Sequence, residues 1–267
     1  MTSTADESAS EQTTAVRLEK RVLVKEVWLV LALSLGASAV SALISFTGVL
    51  TSHRPLGDQT AVIVGSRAPG RPWLDLAWQI FAVVTALVPV ALVAHLLARG
   101  GESLRTLGFD RRDRRRDLAR GAAVAAGVGA AGLAFYLTAV AVGVSLTVDP
   151  AQLPGAWWRV PVLIAVAAQN AILEEVIVLG YLTRRLEQLG WSFRSRTAAS
   201  AVLRGSYHLY QGFGGFVANL VMGGLFCYLY RRWGRVMPLV VAHTLIDVVA
   251  LVGATYLIGK VGWLPGG

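Results

Sequence analysis

Three short stretches hold most of the acid–base chemistry available inside otherwise apolar sequence. The first is Gln169-Asn170-Ala171-Ile172-Leu173-Glu174-Glu175, two adjacent carboxylates within an apolar run from about Val160 to Leu182. The second carries Arg204 and His208, and the third His243 and Asp247. Within each of these two pairs the residues are four apart, so both side chains share one face of a helix. A carboxylate beside an imidazole can take a proton from water and return it to a leaving group. A second imidazole, oriented by Asp247, can donate to a developing oxyanion. Hydrolysis of a peptide bond is consistent with this set. Glu174, His208 and His243 are also ligand types that zinc accepts, although the His-Glu-x-x-His pattern of soluble zinc proteases is absent.

The elements that carry these groups are membrane helices. Of 267 residues, 55% are hydrophobic and only 15% charged, with mean hydropathy +0.57. The fold expected is all-α, a polytopic transmembrane bundle of about seven spans near 27–50, 73–98, 121–147, 160–182, 197–211, 214–230 and 236–258. The organisation expected is a disordered cytoplasmic tail (1–24), N-terminal helices with a basic cytoplasmic loop (25–154), and a catalytic helical core (155–267). The loop 51–72, with Pro55, Pro69 and Pro72, reads as irregular. The small residues of the third span, including Gly121, Ala125 and Gly129, suit close helix packing.

Net charge is +9, yet the basic residues argue against nucleic acid. They gather in alternate links, with the densest group at Arg111, Arg112, Arg114, Arg115 and Arg116. This is the positive-inside pattern, and it predicts a cytoplasmic N-terminus in a multi-pass cell-membrane protein; a bacterial plasma membrane is the expected location. The lone Cys227 lies in an apolar segment and suits a small buried hydrophobe. Asp75 and His95 sit near the ends of the second span and read as groups that snorkel to water.

Depth ties the three stretches together. Measured from the arginines that mark the basic end of each span, Glu174, His208, His243 and Asp247 lie about 12–18 Å into the bilayer at 1.5 Å per residue. A charge at that depth costs roughly 2.5–3.5 kcal/mol on insertion scales, so the groups must meet and share partners. Asn219, on the small-residue face Gly215–Asn219–Gly223–Cys227, is placed to lend a hydrogen bond.

The order Glu174-Glu175, then His208-Leu-Tyr-Gln-Gly212, then His243-Thr-Leu-Ile-Asp247 resembles the CAAX-processing and bacteriocin-processing family of intramembrane proteases, related to type II CAAX prenyl endopeptidases. The resemblance covers about residues 155–258. It implies that Glu174 and His208 activate water, that His243 and Asp247 form or support the oxyanion site, and that Glu175 is a structural or second catalytic carboxylate. The implied substrate is a membrane-associated protein or peptide. No cofactor is certain; zinc is the candidate metal, with Glu174, His208 and His243 as its ligands. The chain departs from the pattern at two positions: Leu179 stands where the family has Arg, and Arg204 stands where it has Phe. The expected explanation is that the guanidinium has moved between helices and pairs with Glu175 from Arg204. Two other readings compete: a catalytically inactive relative acting as a membrane chaperone or immunity-type binding protein, and a proton-coupled transporter.

Overall fold

The computed structural model describes residues 3–257, 260 and 261. Its helices are α1 (Ser3–Ala32), α2 (Leu35–Thr51), α3 (Pro72–Ala86), α4 (Val88–Arg99), α5 (Arg114–Ala141), α6 (Arg159–Glu174), α7 (Leu182–Gln188), α8 (Phe193–Tyr207), α9 (Phe213–Trp233), α10 (Met237–Val248) and α11 (Ala254–Leu257). Helix α1 reaches back to Ser3, through the segment whose composition reads as a disordered tail.

Among the described residues, five helical stretches are long and apolar enough to cross a membrane: Pro72–Arg99, Arg114–Ala141, Arg159–Gln188, Phe213–Trp233 and Met237–Leu257. The stretches Leu18–Ala32 and Leu35–Thr51, bent by 50°, make a sixth if the pair is one broken span. The protein is therefore a multi-pass, all-α membrane protein with five or six such spans rather than about seven. The difference lies at the fifth expected span. Helix α8 has 15 residues, about 22 Å at helical rise, against a hydrocarbon thickness of about 30 Å. It is therefore too short to cross alone, and the chain turns at Leu209–Gln211 before α9 begins.

The loop after α2 is not wholly irregular. Thr60–Gly65 forms β1, which pairs in parallel with β2 (Thr147–Gln152), aligning Thr60 with Thr147 and Gly65 with Gln152. Val62, Ile63 and Val64 supply the branched side chains that favour a strand, and periodicity across so short a run is a weak signal.

Helix α6 is the central post. It is continuous with a π-helical segment, Glu175–Tyr181, whose seven residues are all buried. Val176, Ile177 and Val178 pack there with Val30, Val93, Leu97 and Leu107 from other elements. Close approach elsewhere depends on missing side chains. A Cβ at Gly121 on α5 would lie 2.5 Å from Val241 Cγ1 on α10, and one at Gly223 on α9 would lie 3.0 Å from the Ala201 backbone on α8. The packing role expected for the third span is thus realised against α10.

At the arginine-rich end, Arg235 ties the α4–α5 link to the start of α10. Its Nε donates to Asp117 Oδ1 at 3.0 Å, and its Nη2 donates to Asp117 Oδ2 at 2.7 Å and Asp110 Oδ1 at 2.9 Å. The hydrogen bond from Arg235 holds the Asp110 carboxyl below its ordinary value.

Candidate active site

Glu174 and Glu175 are neighbours in sequence but face different partners. Glu174 closes α6 and keeps 7% of its surface exposed, whereas Glu175 opens the π turn and has none. Such turns recur at functional sites because they reorient side chains within a continuous helix.

Helix α8 brings two groups to this pair, three residues apart and hence on one face. Arg204 Nη2 donates to Glu175 Oε1 at 2.7 Å, while its Nη1 lies 3.8 Å from Glu174 Oε2. Tyr207 Oη donates to Glu174 Oε2 at 2.8 Å. The guanidinium thus stands where the exchange with Leu179 requires, and its plane is backed by the Phe226 ring at 5.3 Å. Leu179 packs among Phe226, Cys227, Leu239 and Ala242.

Helix α10 contributes the third side. His243 Nδ1 lies 2.8 Å from Glu175 Oε1, and its Nε2 lies 3.6 Å from Asp247 Oδ2. The first distance is a hydrogen bond and the second is longer than one. His208, at the C-terminal end of α8, turns Nδ1 to the Arg204 carbonyl at 3.0 Å. A carbonyl only accepts, so Nδ1 carries the proton and Nε2 is left as an acceptor in the neutral ring.

A cleft of about 460 Å³ reaches this cluster. Glu174, Tyr207, His208 and Asp247 line it, together with Asn170, Gln211, Gln79, Arg67 and the end of β1. Glu175, Arg204 and His243 stand behind that wall. The site therefore has a layer facing the cleft and a charged layer beneath it, and six expected residues, Glu174, Glu175, Arg204, His208, His243 and Asp247, converge here. Asn219 does not: its Nδ2 donates to Gly215 O at 3.0 Å within its own helix.

Two expectations need correction. Asp75 does not reach water; it is fully buried, and its Oδ1 accepts the Arg67 N–H at 2.8 Å. Depth counted along a helix cannot reveal a strand folded over the helix end. The residues with metal-ligand spacing among the described residues are Glu174, Glu175 and His243, not the set containing His208. This donor set does not fit a resident divalent cation. Glu175 Oε1 already receives both the guanidinium and the His243 ring, and the fixed positive charge of Arg204 beside these carboxylates opposes a second cation.

Tyr207 was not singled out by the sequence. Its signal was available as the position three after Arg204 on the same helical face, masked by the ordinary frequency of tyrosine in membrane helices.

Residues 156–249 match the family described as Rce1-like, type II CAAX prenyl endopeptidase Rce1-like. The match supports the CAAX-protease family for this segment. The matched residues include the whole buried cluster, while β1 and α1–α5 lie outside them. The Rce1-like family is a protease family, so the chemistry supported at the general level is peptide-bond hydrolysis. No curated protein and no solved structure matches the chain.

Proposed function

We propose that the protein is an intramembrane endopeptidase in which Glu174 is the general base. The observation that carries this reading is the division of labour between the two carboxylates: Glu174 borders the cleft, and Glu175 is sealed behind it between Arg204 and His243. A water in the cleft loses a proton to Glu174 as its oxygen attacks the substrate carbonyl. Tyr207 fixes the direction of the accepting carboxylate. His208 Nε2, also on the cleft wall, takes that proton from Glu174 and passes it to the leaving amine as the C–N bond breaks, which returns Glu174 to its carboxylate. Arg204 holds Glu175 and, through it, the angle at which α6 presents Glu174.

The oxyanion role suits His243 and Asp247 less well than the sequence implied, because His243 is committed to Glu175 and only Asp247 borders the cleft. Asn170, one turn before Glu174 and on the cleft wall, offers amide donors for that task. No step is routed through a metal. The arginine-rich end is assigned to the cytoplasm of a bacterial plasma membrane, and the substrate is a membrane-associated polypeptide.

The test is hydrolysis of a mixed peptide library by purified protein, read by mass spectrometry. Wild type should generate new termini, and Glu174→Gln should generate none while keeping its thermal transition. Equal cleavage by both proteins would refute the assignment.

A further inference from the structure

The cleft includes a feature that acid–base chemistry does not use. β1 has β2 on one edge, and among the described residues no strand lies on the other. Thr147 N–H donates to Gln59 O at 3.0 Å, which sets the alternation of the ladder. Gln59, Ala61 and Ile63 turn their main chain to β2, so Thr60, Val62 and Val64 turn theirs to the open edge.

Proteins usually cover or blunt an open edge because it templates pairing with another chain. Here the edge is held firm instead. Asp75 and Gln79, one turn apart on α3 and both buried, grip the end of the strand. Asp75 accepts the Arg67 N–H, and Gln79 Nε2 donates to Gly65 O at 3.0 Å. Two polar side chains buried in an apolar helix are costly, and what they secure is the position of this strand.

The open edge also meets the cleft. Ile63, Val64 and Gly65 all line it, and no β2 residue does. Consecutive strand residues point to opposite faces, so three in succession border one cavity only along an edge or end. The same cleft is walled by Glu174 and His208.

We propose that β1 receives an extended stretch of the substrate polypeptide as a third strand and holds it across the cleft with its backbone over Glu174. This rests on the peptidase reading above. Recognition through main-chain hydrogen bonds tolerates many side chains but demands an unwound segment with free amides toward β1, so helical stretches and prolines at the positions facing β1 are rejected. The substrate class is therefore a locally unfolded, membrane-proximal segment rather than an intact transmembrane helix.

The test uses the full-length Glu174→Gln protein in detergent micelles and two capped peptide libraries with randomised side chains, one unmodified and one N-methylated at every amide, so that neither edge of the peptide can donate. Amide exchange is read at Val62 and Val64. The unmodified library should slow exchange there by roughly tenfold and the methylated library should not. Unchanged exchange with both libraries, or equal slowing by both, overturns the proposal. Wild-type protein run at low temperature gives the same readout should the variant fold poorly. Cleavage by wild type without slowed exchange removes the third strand and leaves the peptidase; slowed exchange without cleavage does the reverse.

Discussion

Arg235 and Arg204 each stand between two carboxylates, and they are built differently. Arg235, near the arginine-rich end, makes three hydrogen bonds to Asp110 and Asp117. Arg204, in the bundle interior with its side chain 1% exposed, makes one, to Glu175. Its Nε and Nη1, and Glu175 Oε2, are buried without a hydrogen-bond partner among the described residues. The saturated arrangement is the one nearer water, with the Arg235 side chain 15% exposed. The unsaturated one is where each orphaned group costs most. A fold keeps such a cost where the charges are needed for something other than holding helices together.

The sharpest way to break this comparison is to neutralise each arginine in turn. Arg204→Gln leaves Glu175 buried without its counter-charge, and a loss of about 3–5 kcal/mol in stability is expected, together with loss of hydrolysis. Arg235→Gln should cost about 1.5–3 kcal/mol, the scale of a hydrogen bond to a charged group, with kcat of the folded protein unchanged. Denaturant unfolding and peptide turnover on the same preparations check both. If Arg235→Gln proves the more damaging to turnover, the contrast fails.

Acid sharpens the same contrast. Because Asp110 is depressed in the folded state, its pairing with Arg235 stabilises above the ordinary aspartate value of 3.8 and is lost as pH falls through the lower folded value. Wild type should therefore lose stability on acidification below that point more steeply than Arg235→Gln, as read by thermal unfolding across a pH series.

Smaller effects are expected nearer the cleft wall. Tyr207→Phe deletes one hydrogen bond to a carboxylate and should lower kcat by about 10–100-fold, the equivalent of 1.5–3 kcal/mol, with KM little changed. Asn219→Ala removes only an intrahelical bond and should change turnover by less than about twofold.

Much of the site was readable before the structure because membrane burial makes polar residues conspicuous. Arg204 and His208, and His243 and Asp247, declare a shared face by their spacing, and counting from flanking arginines brought them level with Glu174. The Arg204–Glu175 pair follows from the absence of an arginine at Leu179. What was hidden depends on contacts that no periodicity encodes. The π turn after Glu174 separates the two carboxylates into one that borders the cleft and one that does not. β1 draws its identity from pairing with β2, more than eighty residues away, and Asp75 becomes a buried anchor only once that strand lies over it. The shortness of α8 was hidden as well, because its apolar run continues into the turn that follows.

The central claim, that the cleft-facing carboxylate does the chemistry and the sealed one does not, is tested most directly by comparing Glu174→Gln with Glu175→Gln for single-turnover hydrolysis and unfolding free energy. The account predicts that Glu174→Gln lowers the hydrolytic rate by about 100-fold or more with little change in stability, whereas Glu175→Gln is the destabilised protein. Full hydrolytic rate in Glu174→Gln, or a stable Glu175→Gln that is the inactive one of the two, would contradict it.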